Sequence, residues 1–107
     1  MAITIIENNP EQKFNELLTV QGKDIIVDFF ATWCGPCKML SPVLEAIAAA
    51  YPDTVEIYKI NIDEHEAFAV QKQVMAVPTL MFIRDGEVKS TEVGFMSKDE
   101  ILDHLNV

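Results

Sequence analysis

The spacing of apolar residues along the chain alternates between the period of a strand and that of a helix. The segment 25–31 is almost continuously apolar, which is typical of a central strand buried on both faces of a sheet. Residues 2–6 are β-branched and alternate weakly, and residues 55–62 form another largely apolar segment. These three segments are predicted to be strands, separated by stretches with helical spacing.

The first two predicted helices have start and stop signals. Asn9 is expected to cap a helix that begins at Pro10, and Gly22 is expected to end it. The second helix ends at Pro52-Asp53, and Pro42 inside it is expected to kink it because proline lacks an N–H group. Its buried face has residues at steps of three and four: Cys37, Leu40, Leu44, Ile47 and Tyr51.

In the last part of the chain, the sequence pattern predicts a short helix, a β-hairpin and a final helix. Residues 64–72 form a short polar helix, and 79–84 and 87–93 are strands joined by a turn at Asp85-Gly86. A serine followed three residues later by glutamate is a capping box, which opens a last helix over 97–105.

The resulting order of elements, β-α-β-α-β-α-β-β-α, predicts an α/β fold. Its alternating first part favours a parallel sheet with right-handed crossovers, and the tight turn makes its two flanking strands antiparallel. We expect a central mixed sheet of about five strands flanked by about four helices. Because repeats, low-complexity tracts and linkers are absent from the sequence, residues 1–107 are expected to form one domain.

Composition narrows the possible partners. The 107 residues include 8 Lys and Arg against 17 Asp and Glu, a net charge of −9. An acidic surface repels phosphate, which argues against nucleic acid and anionic membranes as partners. The longest charge-free stretch, 73–83, has 11 residues, whereas a bilayer span needs about 20. The first residues lack the pattern of a secretory signal. We therefore expect a cytoplasmic protein, and a monomer.

Two cysteines, Cys34 and Cys37, lie where the buried strand meets the start of a helix, with Gly35 and Pro36 between them. Free backbone N–H groups and the helix dipole stabilise an anion at that position, so we expect a lowered pKa for the Cys34 thiol. Cys37 lies one turn further on, on the apolar face, and is expected to be shielded, whereas Cys34 is expected to be accessible. Cys34 is therefore predicted to be the nucleophile and Cys37 the resolving cysteine.

Other interpretations of the cysteine pair are weaker. A disulfide that closes so small a ring stabilises a fold by only about 2 kcal/mol, so a structural crosslink is disfavoured. A zinc site needs about four ligands, and His65 and His104 are in no ligand spacing, so no metal is expected. Neither histidine has a pattern that places it beside Cys34 for hydrolase chemistry. The cysteines as inert core residues also remain an alternative.

The segment Trp-Cys-Gly-Pro-Cys-Lys at 33–38 resembles the active site of the thioredoxin family, the usual example of this motif. The likeness covers essentially the whole chain. Its other matching positions are Asp28-Phe29, Ala31, Pro42, Asp63, Val77-Pro78-Thr79, Asp85-Gly86 and Gly94. The sequence departs from the family at Phe30, where many members have Trp, and at Met75, where a basic residue is common.

The resemblance implies the thioredoxin fold and a dithiol–disulfide oxidoreductase that reduces protein disulfide substrates. It implies no cofactor beyond a Cys34–Cys37 disulfide, and an NADPH-dependent thioredoxin reductase as partner. The residues Gly35 and Pro36 resemble those of the reducing members of the superfamily. A binding module without turnover, or an oxidant or isomerase of the same fold, are the alternatives.

Two polar residues interrupt the apolar strands. Burial is expected to raise the pKa of the Asp28 carboxyl, which makes it a candidate proton acceptor for Cys37. Lys59 is a candidate partner, because pairing across adjacent strands reduces the cost of burying both charges, and the resemblance supports that pairing. The alternatives are a strand end that reaches solvent for Asp28 and an exposed edge position for Lys59.

Pro78 begins a predicted strand, where its missing N–H does least harm. The resemblance implies a cis Val77–Pro78 bond packed against the cysteines, with a free edge for an extended substrate backbone. Gly94 is expected to permit close backbone approach. An apolar substrate-binding patch around Cys34 is expected from Trp33, Ala76, Val77, Gly94, Phe95 and Met96. Core positions for Phe95 and Met96 are the alternative.

Overall fold

Five strands and four helices follow one another in the predicted order in the computed structural model, which describes residues 3–107. The strands are β1 (Ile3–Ile5), β2 (Asp24–Phe30), β3 (Val55–Asn61), β4 (Thr79–Arg84) and β5 (Glu87–Val93). The helices are α1 (Pro10–Leu17), α2 (Gly35–Ala50), α3 (Glu66–Gln71) and α4 (Lys98–Leu102). Ala2, which was included in the first predicted strand, lies outside the described residues.

The sheet is mixed, with the strand order β1-β3-β2-β4-β5, and β2 lies at its centre. Strands β1, β3 and β2 are parallel, while β4 is antiparallel to both β2 and β5. The mixed sheet is confirmed, and β4 enters it antiparallel to its neighbour β2. The six-residue α3 is only about 9 Å long, too short to carry the chain back along the sheet for a parallel strand.

Helices cover both faces of the sheet, as predicted. On one face, apolar residues of α2 and α4 pack against β2, β3 and β4, among them Leu40, Leu44, Ile57 and Ile101. On the other face, α1 and α3 contribute Phe14, Leu17 and Phe68 to a second cluster. Side chains alternate between the faces along β2, so Ile26 lies on the α2 face and Val27 on the other.

Three helices are shorter than predicted, and α3 spans Glu66–Gln71 within the expected 64–72. The helix α1 ends at Leu17, not at Gly22, and Gly22 lies in the following loop with φ 77°, where its N–H donates to the Asp85 carboxylate at 3.0 Å. The helix α4 ends at Leu102 rather than Leu105, because the chain continues in tighter turns. Asn9 is the N-cap of α1 and Pro10 its first residue, as predicted, but Asn9 has φ 52° and its side chain accepts no hydrogen bond from the helix.

The tight turn predicted between β4 and β5 is present. Asp85 and Gly86 both have positive φ, 50° and 85°, as a tight turn between antiparallel strands requires. Pro42 lies inside α2, which runs unbroken from Gly35 to Ala50. Within residues 3–107, every helix is too short or too polar to cross a bilayer.

Removal of the Ser97 hydroxyl is expected to destabilise the fold. Ser97 accepts a hydrogen bond from the Glu100 N–H at 3.2 Å, and the Glu100 carboxylate accepts one from the Ser97 N–H at 2.8 Å. Ser97→Ala should therefore lower the free energy of unfolding by about 1 kcal/mol in urea titrations. Ser97→Asp keeps a capping oxygen and is the control. Equal stability of the Ala and Asp variants would show that the capping box contributes nothing.

Candidate active site

The two cysteines form a disulfide at the start of α2. Cys34 is the N-cap of the helix, with extended backbone angles, and Cys37 lies in the first turn, 5.3 Å away between Cα atoms. The Cys37 N–H donates to the Cys34 Sγ at 3.1 Å. The Cys34 sulfur thus occupies the place where an N-cap oxygen normally sits, and the free N–H groups of the helix stabilise negative charge there.

Exposure does not distinguish the two cysteines. Each residue is only 4% exposed, so Cys37 is shielded as expected, but the expectation of an accessible Cys34 is wrong for the oxidised form. Both pack in a small cluster with Ala31, against Phe30 and Val77. Any difference in role must therefore come from position on the helix.

Asp28 is fully buried on β2, two residues after Ile26 on the face covered by α2. Neither carboxylate oxygen has a hydrogen-bond partner. Desolvation raises the pKa of Asp28 to about 7, and the nearby positive charge of Lys59 opposes that rise. The alternative in which this strand end reaches solvent is therefore wrong.

Lys59 lies next to Asp28 in the register of the parallel strands β2 and β3. Its Nζ is 4.0 Å from the Asp28 Oδ2, and its side chain is 15% exposed. Since β3 lies between β1 and β2, the alternative of an exposed edge lysine is wrong. The ammonium also lies 5.0 Å from the centre of the Phe30 ring, within range of a cation–π contact.

Ser41 is the residue of this site that the sequence analysis missed. Its Oγ accepts a hydrogen bond from the Lys59 Nζ at 3.0 Å and donates to the Cys37 carbonyl oxygen at 3.4 Å. A cleft of about 270 Å³ has Phe30, Cys37, Ser41 and Lys59 among its lining residues. The position of Ser41 four residues after Cys37 was the available signal, because residues four apart share a helix face.

The segment before β4 lies against the disulfide. The Val77–Pro78 peptide bond is cis, as the resemblance implied, and Val77 packs against the cysteine cluster. The Gly94 N–H donates to the Pro78 carbonyl oxygen at 2.8 Å, with Gly94 at φ 100°. This hydrogen bond joins the end of β5 to the proline. A Cβ at position 94 would meet no atom within 4 Å, so it is the positive φ that favours glycine there, and the expected role in close backbone approach is wrong.

The expected apolar patch is present in part. Trp33 and Phe95 are exposed large apolar residues, and Ala76 is also exposed. The Trp33 indole N–H donates to the Asp63 carboxylate at 2.8 Å, which fixes the ring beside the start of α2. Met96 belongs instead to the core cluster beneath α2 and α4, so the alternative for that residue is correct.

Neither histidine lies in a ligand cluster. His104 stacks on the Phe82 ring, with centroids 4.4 Å apart, and His65 is at the start of α3. Among residues 3–107, no group of three or more His, Cys, Asp or Glu is arranged to hold a metal ion. The two sulfurs are bonded to each other, so the interpretation of the pair as half of a zinc site lacks its further ligands.

A mixed five-stranded sheet with a disulfide across the first turn of a helix defines a dithiol–disulfide oxidoreductase. The thioredoxin family model matches residues 5–107. The chain is 44% identical over 81 residues to a thioredoxin of Staphylococcus aureus, covering 76% of this chain and 78% of that protein. It is 41% identical over 96 residues to a thioredoxin of Staphylococcus haemolyticus, covering 90% of each. The chain belongs to the thioredoxin family.

A solved relative has the same fold. The crystal structure of a thioredoxin from Nicotiana alata superimposes with a TM-score of 0.83 and 36% sequence identity, covering 98% of this chain and 94% of that one. The expected thioredoxin fold is therefore confirmed. Membership of the family also makes the chain a disulfide oxidoreductase that acts on protein disulfides and works with a reductase.

Proposed function

We propose that this chain works in the reducing direction, with Cys34 as the nucleophile and Cys37 as the resolving cysteine. The observation that carries the proposal is the Cys34 sulfur at the N-cap of α2, where it accepts the Cys37 N–H. An N-cap sulfur is stabilised as a thiolate, the attacking species in disulfide exchange. Gly35 and Pro36 occupy the first turn between the two sulfurs.

One turn of the proposed cycle transfers two electrons and two protons from the two thiol groups of this chain to the substrate disulfide. The Cys34 thiolate attacks one sulfur of the substrate disulfide, forms a mixed disulfide and releases the other substrate sulfur as a thiolate, which takes a proton. Cys37, once deprotonated, attacks the Cys34 sulfur. The mixed disulfide then breaks, the second substrate thiol leaves, and the Cys34–Cys37 disulfide closes. The substrate disulfide is reduced and the cysteine pair is oxidised.

Asp28 is proposed as the proton acceptor for Cys37. A group with a pKa near 7 exchanges protons readily at neutral pH, and the pKa of Asp28 is raised to about 7 by burial. Lys59 and Ser41 extend from the carboxyl to the Cys37 backbone, beside a cleft that reaches the surface. Water in that cleft would complete the path of the proton.

The substrate-binding surface is proposed to surround the disulfide on two sides. Val77 and Pro78 lie on one side, joined to Gly94, with exposed Ala76 and Phe95 on the same two segments. Trp33 lies on the other side. An extended substrate segment would pair with the backbone before Pro78 and place its disulfide over Cys34.

The partner that restores the reduced form is proposed to be a separate NADPH-dependent, flavin-containing thioredoxin reductase. The sequence has only four glycines, and none has the G-x-G-x-x-G spacing of a dinucleotide site. The redox-active disulfide is the only group that the proposed cycle requires of this chain, so no cofactor or metal is assigned. The chain is proposed to act as a cytoplasmic monomer.

Reduction of insulin disulfides tests the proposed direction. With dithiothreitol as donor, the protein is expected to speed insulin precipitation, while Cys34→Ser falls to the rate of the donor alone because a serine hydroxyl does not form the reactive anion. Lys89→Ala, on the β4–β5 hairpin, is the control and should keep the full rate. Full activity in Cys34→Ser would show that Cys34 is not the nucleophile. No acceleration by the unaltered protein would leave only a binding role, and faster oxidation of a dithiol peptide than reduction of insulin would indicate an oxidant.

A further inference from the structure

Ser41 stands between the buried ion pair and the resolving cysteine. Its hydroxyl donates to the Cys37 carbonyl oxygen one turn earlier in α2, at 3.4 Å. That bond orients the remaining lone pairs of Oγ toward the sheet, and one of them accepts the Lys59 Nζ at 3.0 Å. The hydroxyl thus links β3 to the first turns of the active-site helix.

The Lys59 ammonium has two possible acceptors. The Asp28 Oδ2 lies 4.0 Å away, beyond hydrogen-bonding distance, and neither oxygen of that carboxyl has a partner. A direct charge-assisted bond between the two side chains would be stronger than a bond to a neutral hydroxyl. The ammonium is nevertheless bonded to Ser41.

We propose that Ser41 is a positioning residue, which holds the Lys59 ammonium out of hydrogen-bonding contact with Asp28. The carboxyl is thereby kept without a partner, in the state suited to accept a proton and release it again. The inference extends the proposed role of Asp28 and rests on it for its catalytic meaning, but the geometry of the three side chains stands by itself.

The surroundings of Asp28 add few other charges. Among residues 3–107, Lys59 on β3 is the charged side chain paired with it. Strand β4 places Leu80 opposite it in register. Helix α2 contributes Cys37 and Ser41, of which Cys37 titrates only after reduction of the disulfide, and Lys38 at the mouth of the cleft. Titration of the oxidised protein therefore isolates the effect of Lys59.

Carboxyl titration by NMR measures the effect directly. In Ser41→Ala, Lys59 loses its hydroxyl partner and closes on Asp28, which favours the ionised carboxyl. The midpoint of the Asp28 titration in the oxidised protein is expected to fall by about one pH unit. Ser41→Thr keeps a hydroxyl at the same place and should titrate like the unaltered protein.

A second pair of variants shows whether Lys59 transmits the effect. In the Lys59→Met background there is no ammonium to release, so adding Ser41→Ala should leave the Asp28 midpoint unmoved. A midpoint in Ser41→Ala that stays or rises, or a fall that persists without Lys59, would overturn the proposal. Circular dichroism verifies that each variant is folded, and alanine favours the helix at this position.

The rate of disulfide closure separates this inference from the proposed role of Asp28. If Ser41 positions Lys59 and Asp28 accepts the proton of Cys37, the pH profile of mixed-disulfide resolution shifts toward acid in Ser41→Ala by the same amount as the Asp28 titration. If the titration shifts and the kinetic profile does not, Ser41 positions Lys59 as proposed and Asp28 is not the proton acceptor. If the Asp28 titration does not shift, the inference about Ser41 fails whatever the kinetics show.

Discussion

Replacement of Cys37 by serine should trap the protein on its substrate. Cys34 still attacks the substrate disulfide, but a serine hydroxyl does not displace the product, so the mixed disulfide persists. Incubation with an oxidised protein substrate is expected to convert most of Cys37→Ser into a covalent adduct, visible on a non-reducing gel and lost after addition of dithiothreitol. Multiple-turnover reduction should fall to the background rate.

The reciprocal variant makes this test decisive. Cys34→Ser should form no such adduct, because Cys37 lies inside the helix and lacks the N-cap position that stabilises a thiolate. In the oxidised protein the two residues are equally exposed. The roles therefore depend on position alone. Equal trapping by both variants, or trapping by Cys34→Ser only, would contradict the assignment.

Asp28→Asn is expected to stabilise the oxidised protein at alkaline pH. Burial raises the pKa of Asp28 from 3.8 to about 7, so between these values the folded protein holds a proton that the unfolded chain has released. Stability is then full in acid and falls as the pH rises toward 7. A shift of this size corresponds to roughly 4 kcal/mol. Asparagine avoids the loss but leaves Lys59 without its counter-charge, so we expect a gain of about 2–4 kcal/mol.

Urea unfolding at pH 4 and pH 8 measures this difference. The Asn variant and the unaltered protein should be nearly equal at pH 4, where the carboxyl is protonated, and differ at pH 8. Asp53→Asn removes a carboxylate from an exposed turn and should change stability by less than about 0.5 kcal/mol. A destabilised Asp28→Asn at pH 8 would show that the ionised carboxyl is satisfied in the folded protein.

The elements that the sequence predicted well are those whose causes are local. The turn at Asp85-Gly86 needs two residues that tolerate positive φ, and the capping box at Ser97 needs only a glutamate three residues on. The start of α2 at the cysteines is equally local, and it predicts the candidate nucleophile at the N-cap. The buried run in β2 predicted the central strand because its side chains are apolar on both faces.

The predictions that failed concern features with non-local causes. The helix α1 ends before Gly22 because that glycine serves the loop, where it binds Asp85 from the β4–β5 hairpin, a residue 63 positions away. The cluster that contains Cys34 is packed by Val77, which comes from the distant segment before β4. Neither interaction can be predicted from the spacing of apolar and polar residues that are close by in the sequence.

By itself, the sequence determined the order of elements, the position of the cysteine pair at a helix start, and the presence of a carboxyl in an apolar strand. The tertiary structure decided the direction of β4, the equal burial of the two sulfurs, and the bond between Ser41 and Lys59. Periodicity and capping act between residues within about one helical turn. The features that the tertiary structure decided depend on which strands become neighbours in the sheet. That order is set by packing of the whole chain.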